Sequence, residues 1–225
     1  MKLLLWDIDG TLLATSGAGV KALEASLSAE FLAGEPADLS DIDLAGRTDR
    51  WIAREIFQKY RIEHSSAQVD RLLNLYIEKL PSYLNSLTSV LPGVREILAE
   101  AENRSDVVQG LLTGNLARGA AAKLRHFDLW EYFPFGAFSD DSAIRNELGP
   151  HALRRAKEYS GHDFDPSDVW IIGDTPHDIE CGKVIGARTL AVATGHYDLE
   201  LLRSHKPDAL RSNLENPASF WSLMD

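Results

Sequence analysis

Residues 6–12 read WDIDGTL, directly after the run LLL. Two aspartates one residue apart at the end of an apolar stretch constrain this chain more than any other feature. In a strand, alternate side chains share a face, so Asp7 and Asp9 would point the same way and repel. Something elsewhere in the chain has to offset that cost. Gly10 permits a sharp turn out of the strand at that point.

Further apolar runs repeat the pattern. VVQGLL (107–112), a weaker FGAF (135–138), VWIIG (169–173) and RTLAVA (188–193) join KLLLW (2–6) as short segments that end at polar or glycine-rich turns. Near-continuous aliphatic runs of this length suit strands buried on both faces. Helical patterns separate them: 93–103 with Pro92 at its start, 117–128, 151–161 and 177–186. Strand and helix alternate after residue 90, which predicts an α/β fold with a Rossmann-like parallel sheet. Residues 15–87 differ. GVKALEASLSAEFL and DRWIAREIFQKY read as helices, and Val69, Leu72, Leu73, Tyr76 and Leu80 follow helical spacing, with no strand between them. The expected organisation is therefore an α/β core of 1–14 and 88–225, with a helical insert of 15–87 after the first strand. Such an insert sits at the carboxyl edge of the sheet, where open parallel sheets bind ligands.

Three motifs fall on that edge. In DIDGT (7–11), two carboxylates at one strand end make a platform for Mg²⁺, which prefers hard oxygen ligands. A polar turn closing a strand is the ordinary alternative. In LLTGN (111–115), Thr113 offers a hydroxyl between strand and helix, and Gly114 and Asn115 lead into free helix amides that suit an anion. The same tripeptide also makes an ordinary turn and cap. In IIGDTPHDIECG (171–182), Asp174 ends a buried strand and Asp178 lies four residues on, where it could equally cap the helix that follows.

Composition narrows the partners. The formal net charge of −11 over 225 residues argues against a nucleic-acid backbone as partner. A small phosphorylated metabolite stays open, because a bound cation reverses the local sign. No run approaches the length of a membrane span, and the apolar N-terminal run meets Asp7 too early for a secretory signal. The lone Cys181 cannot form an internal disulfide, which fits a reducing cytoplasm. Oligomeric state is left open.

Together the three motifs resemble those of the haloacid dehalogenase (HAD) superfamily of aspartate-nucleophile phosphohydrolases, closest to its phosphoglycolate-phosphatase-like branch. DIDGT resembles the family's DxDGT, Thr113 its small hydroxyl motif, and Asp174 with Asp178 its GDxxxD acid motif. The helical insert looks like its class I cap. The resemblance implies an Mg²⁺-dependent phosphatase of a small phosphomonoester. Asp7 would be the nucleophile that becomes an aspartyl-phosphate, and Asp9 the general acid and base. The metal would lie on Asp7, Asp174, Asp178 and the Asp9 carbonyl. Thr113, Gly114 and Asn115 would hold the phosphoryl group. Asp9 favours phosphoryl over dehalogenation chemistry, since a carbon–halogen bond needs no protonated alkoxide.

One family feature is missing. Aligning Pro150 and Leu153 with the family's lysine motif puts Glu147 where lysine is expected. Arg145, two residues earlier, is the first candidate to replace it, having a fixed charge and a fork of donors suited to phosphate. Lys123 is ranked below it because AAAKLRHFD reads as mid-helix. A loop arginine that only meets solvent is the ordinary alternative for Arg145. A Schiff-base lysine in the insert, Lys21 or Lys59, is disfavoured, since a lone helical lysine is usually solvated. In AGRTDR (45–50), Arg47 is a candidate for the leaving group, while Thr48 or Asp49 could simply cap a helix. His177, Trp6 and Cys181 are read as a loop residue, a core residue and a buried helix residue. A sugar phosphomutase and a non-catalytic phosphoester-binding module are the other readings of the same fold.

Overall fold

A computed structural model describes residues 1–224. The chain opens with β1 (Lys2–Trp6) and β2 (Leu13–Ala14), followed by α1 (Ala18–Phe31), α2 (Asp49–Lys59), α3 (Ser66–Lys79) and α4 (Pro81–Leu87). Next come β3 (Ser89–Val90), α5 (Val94–Asn103), β4 (Val107–Leu112), α6 (Ala117–Arg125), β5 (Gly136–Ala137) and α7 (Leu148–Ser160). The chain ends with β6 (Val169–Gly173), α8 (Pro176–Val184), β7 (Arg188–Val192), α9 (Leu199–Ser204), β8 (Ala209–Arg211) and α10 (Pro217–Met224).

Six strands form one parallel sheet in the order β5-β4-β1-β6-β7-β8. The central strand β1 explains the run that opens the sequence. Leu4 and Trp6 face the layer containing α5, α6 and α10, while Leu3 and Leu5 face the layer containing α7 and α8. Both faces are covered, so every position from 3 to 6 is apolar and fully buried. Trp6 stacks on Phe220 with ring centroids 5.5 Å apart. Truncating it to alanine would cost about 3–5 kcal/mol.

Helices α1–α4 gather around their own apolar cluster, which includes Leu23, Leu27, Ile56, Phe57, Leu72 and Tyr76. Two short strands, β2 and β3, pair antiparallel where the chain leaves for these helices and where it returns. The ribbon and β8 were not foreseen: each strand has two or three residues, too few to show a period.

Several helix starts differ from the sequence expectation by one to three residues, and two of them have a plain local cause. α5 begins at Val94 because Gly93 takes a left-handed conformation, φ 80°, where an added Cβ would meet the Leu214 carbonyl at 1.8 Å. α7 begins at Leu148 instead of residue 151, led in by a 3₁₀ turn at Arg145–Glu147. Pro150 then lies in its first turn, where a missing N–H breaks no bond.

Candidate active site

The parallel register brings the motifs to one edge. Trp6 pairs with Leu111 of β4 and Ile172 of β6, so the next residues of all three strands emerge together. The Asp7 amide donates to the Ile172 carbonyl at 2.9 Å, and the Thr113 amide to that of Ala137 at 3.1 Å. A cavity of about 850 Å³ opens above them. Asp7, Asp9, Gly114, Asn115, Lys123, Arg145 and Asp174 line its floor. Residues of the helical segment, among them Leu23, Leu39, Arg47, Asp49 and Tyr76, line its roof.

The two opening aspartates are separated by their partners. Asp7 is buried and meets Arg145, whose Nη2 lies 3.1 Å from its Oδ1. Asp9 meets Lys123 instead, with Nζ 2.8 and 2.7 Å from its two oxygens. Lys123 also donates to Asn115 Oδ1 at 2.6 Å, and Asn115 Nδ2 donates to Asp9 Oδ2 at 2.7 Å. The repulsion expected from WDIDGTL is thus answered by one cation for each carboxylate.

These partners set different charge states. Burial pushes the Asp7 carboxyl up to about 6, with Arg145 opposing the rise and Asp178 and Asp9 adding to it. Burial also acts on Asp9, but Lys123 and its hydrogen bonds outweigh it and hold this carboxyl below the usual range. Asp174 is raised well above the ordinary carboxylate value by burial and by the charges of Asp7 and Asp178.

Asp7, Asp174 and Asp178 are all buried, and one carboxylate oxygen of each lies within 4.8 Å of the others. Three acids against the single guanidinium of Arg145 leave uncompensated negative charge, which a hard divalent cation fits. The glycines around them make room. An added Cβ would meet Asp174 Oδ2 at 2.3 Å from Gly10 and at 1.6 Å from Gly195. Thr11 Oγ1 donates to Asp174 Oδ1 at 3.2 Å.

Asp178 does two things. It closes the capping box of α8, its Oδ2 accepting from Thr175 Oγ1 at 2.7 Å and from the Thr175 amide at 3.0 Å. Its Oδ1 forms an ion pair with Arg145. The helix-capping alternative and the charge role therefore coexist in one side chain. Arg145 is buried, and Glu147, at the aligned lysine position, is exposed and accepts from Ser142 Oγ at 2.6 Å. Thr113 is fully buried, with its Oγ1 accepting from Asn115 Nδ2 at 2.9 Å. Its own hydroxyl proton has no acceptor among the described residues.

In the roof, Arg47 lies 4.4 Å over the Trp51 ring. Thr48 caps α2, accepting from the Trp51 amide at 3.2 Å, and donates to the Ala143 carbonyl at 2.6 Å. The roof is tied to the floor at Asp49, whose amide donates to the Gly114 carbonyl and whose Oδ2 accepts from the Leu116 amide, both at 2.7 Å. Gly46 and Gly114 allow close approach there, since a Cβ on Gly114 would meet the Arg47 carbonyl at 2.1 Å. Cys181 is buried in α8, with its thiol pushed up to about 11 by burial, and Trp6 lies in the core. His177, expected in a loop, lies instead in the first turn of α8, after Thr175 caps it, and borders a smaller cavity beside Arg47 and Trp51.

Comparison with known proteins agrees with this architecture. The model of the haloacid dehalogenase-like hydrolases matches residues 4–192. The chain belongs to that family. Among its HAD relatives is an N-acetylmuramic acid 6-phosphate phosphatase of Pseudomonas aeruginosa, 27% identical over 197 residues, covering 87% of this chain and 83% of the relative. Another is a phosphoglycolate phosphatase of Mesorhizobium japonicum, 24% identical over 219 residues, covering 95% and 91%. A crystal structure of a hydrolase from Pseudomonas syringae shares the HAD fold with a TM-score of 0.77 at 17% identity, covering 100% of this chain and 99% of that one. Among the described residues, no helix is long and apolar enough to cross a membrane.

Sequence reasoning undervalued Lys123 and passed over Asp49 and Tyr76 as cavity groups. Lys123 had a readable signal: it shares a face of α6 with the buried residues Gly119, Ala120 and Leu124. A lysine on the inward face of an amphipathic helix needs a partner. Asp49 and Tyr76 fell inside patterns that also describe a helix start and a helix core.

Proposed function

We propose that the protein is an Mg²⁺-dependent phosphatase of a small phosphorylated metabolite, working through an aspartyl-phosphate on Asp7, with residues 15–87 as its cap. The observation that carries this reading is the buried trio Asp7, Asp174 and Asp178 with Arg145 against it, at the floor of a cavity that the helical segment roofs. The named phosphatase relatives support it.

In this mechanism the Asp7 carboxylate attacks phosphorus, and the bond from phosphorus to the ester oxygen breaks. A proton from the Lys123 ammonium passes through the Asp9 carboxylate it holds to the leaving oxygen, and returns by the same route in the second half. In the second half, Asp9 takes a proton from the water that attacks the aspartyl-phosphate, releasing inorganic phosphate and restoring Asp7. Arg145 takes the place of the family's lysine: it orients Asp7 and meets the phosphoryl charge, and the Nη2 that reaches Asp7 is held by Asp178 as well. Lys123 belongs to Asp9 and not to that role. The Thr113 hydroxyl, the Gly114 amide and Asn115 hold phosphoryl oxygens. Asp7, Asp174 and the Asp9 carbonyl would hold Mg²⁺, with Asp178 beside them; bound there, the ion neutralises charge on the acids and on the transferring group. Arg47 faces the leaving group. The buried, unpaired Cys181 suits a cytoplasmic setting.

The test is release of inorganic phosphate from p-nitrophenyl phosphate and a panel of phosphomonoesters, with Mg²⁺ and after EDTA treatment. The expected result is turnover that EDTA abolishes and added Mg²⁺ restores. Turnover untouched by EDTA, or no release from any ester, would overturn the reading. Return of the phosphoryl group to a sugar hydroxyl would make the protein a mutase.

A further inference from the structure

We infer that Asp49 makes the roof a hydrogen-bond acceptor for a hydroxylated, uncharged leaving group, so that the substrate is a sugar or polyol monophosphate and not a phosphorylated carboxylate. This deepens the phosphatase reading and rests on it.

Asp49 is 7% exposed, and the surface it keeps is on the cavity wall. It cannot turn away, because its amide is bound to the Gly114 carbonyl and its Oδ2 to the Leu116 amide. Its Oδ1 has no donor among the described residues. That oxygen opens on the cavity, so it is available to accept from a donor that a ligand supplies. Tyr76 makes the same corner polar. It is 1% exposed, lines the cavity, and its phenol has no hydrogen-bond partner among the described residues. Burial and the nearby charges of Asp49 and Asp9 keep that phenol protonated, so it can donate as well as accept. The pair is matched to hydroxyl groups, which do both.

The charges around it point the same way. The helical segment contributes Asp41, Asp43 and Asp49 to the cavity wall and only one cation, Arg47. Asp41 is paired with Lys59, so a carboxylate on the leaving group would meet Asp43 and Asp49 with Arg47 alone to oppose them, and would leave the Asp49 oxygen unmatched. A neutral polyol meets neither difficulty, and Leu23, Leu39 and Ile52 offer apolar contact for its carbon skeleton.

The experiment compares kcat/KM for size-matched esters: glycerol 3-phosphate against 3-phosphoglycerate, and glucose 6-phosphate against 6-phosphogluconate, with p-nitrophenyl phosphate as reference. The wild-type protein should favour the member without a carboxylate in each pair by about tenfold or more. In Asp49→Asn, the amide oxygen can still accept from Leu116 while its NH₂ offers a donor to the cavity, so that ratio should fall by about tenfold. Turnover of p-nitrophenyl phosphate with equal or better use of the carboxylate esters by the wild type would overturn the inference alone. An unchanged ratio in a folded Asp49→Asn protein would leave Asp49 as a tie between roof and floor and would also overturn it. No turnover of any ester, p-nitrophenyl phosphate included, would overturn the phosphatase reading and this inference with it.

Discussion

The floor and the roof of the cavity use charge in opposite ways. On the floor, each aspartate of the opening motif has a cation of its own: Arg145 for Asp7, Lys123 for Asp9. These cations come from distant parts of the chain and are nearly inaccessible, so the geometry is set by packing. In the roof, Asp41 pairs with Lys59 at the surface, Asp43 meets the Tyr197 hydroxyl at 3.3 Å, and Asp49 keeps an oxygen free. The difference follows from what each wall has to do. Bond making at phosphorus requires fixed atoms within fractions of an ångström. Choosing a leaving group requires only a shape and a sign.

This contrast can be broken at its strongest point first. Arg145→Ala should lower kcat by about tenfold or more, through loss of charge at the phosphoryl group. Because it leaves Asp7 and Asp178 buried without their cation, it should also lower the stability of the metal-free protein by about 3 kcal/mol. Kinetics and chemical denaturation, the latter with and without Mg²⁺, check both. An unchanged rate would separate Arg145 from the chemistry and leave it an ion-pair anchor for α8.

Lys123→Met tests the second floor pair. If Lys123 serves proton transfer through Asp9, the variant should lose about tenfold on alkyl phosphates and distinctly less on p-nitrophenyl phosphate, whose leaving group needs no proton. Equal losses on both would reassign Lys123 to the phosphoryl group.

In stability, the roof should respond less than the floor. Burial lifts the Asp49 carboxyl to about 6 from an ordinary 3.8, with Lys123 and the Leu116 amide opposing the rise and Asp9 and Asp140 adding to it. The folded state therefore holds this proton more tightly than the unfolded chain, and the associated stability, present below about pH 4, is lost as pH rises through about 6. Asp49→Asn should be more stable than wild type at pH 7 by about 1–2 kcal/mol, with the gain vanishing toward pH 4. Denaturation midpoints at the two pH values check it; a gain of equal size at both would point to packing.

The same contrast explains what could be read from the chain. Asp7, Asp9, Thr113 and Asp174 are visible because a parallel sheet puts the ends of its strands in one place, and each follows a recognisable apolar run. Arg145 was readable only as a loop cation close to an expected lysine, since its contact with Asp7 spans 138 positions. Lys123 was placed below it because a mid-helix position describes sequence and not direction. Asp49 and Tyr76 sit where ordinary helix rules account for them fully. Acids at a helix start and aromatics on a helical stripe are common, and only the third dimension shows that both meet one cavity. The β2–β3 ribbon and β8 were missed for a simpler reason, that two or three residues carry no periodicity.

The central claim is that Asp7 carries the phosphoryl group. The most direct test is to mix the protein with a ³²P-labelled phosphomonoester and Mg²⁺, quench in acid within the first turnover, and map the label. The mechanism predicts a hydroxylamine-sensitive label on the peptide containing Asp7, absent in Asp7→Asn, whose turnover should fall by about a thousandfold or more. Rapid phosphate release with no labelled protein, together with a fully active Asp7→Asn variant, would contradict it.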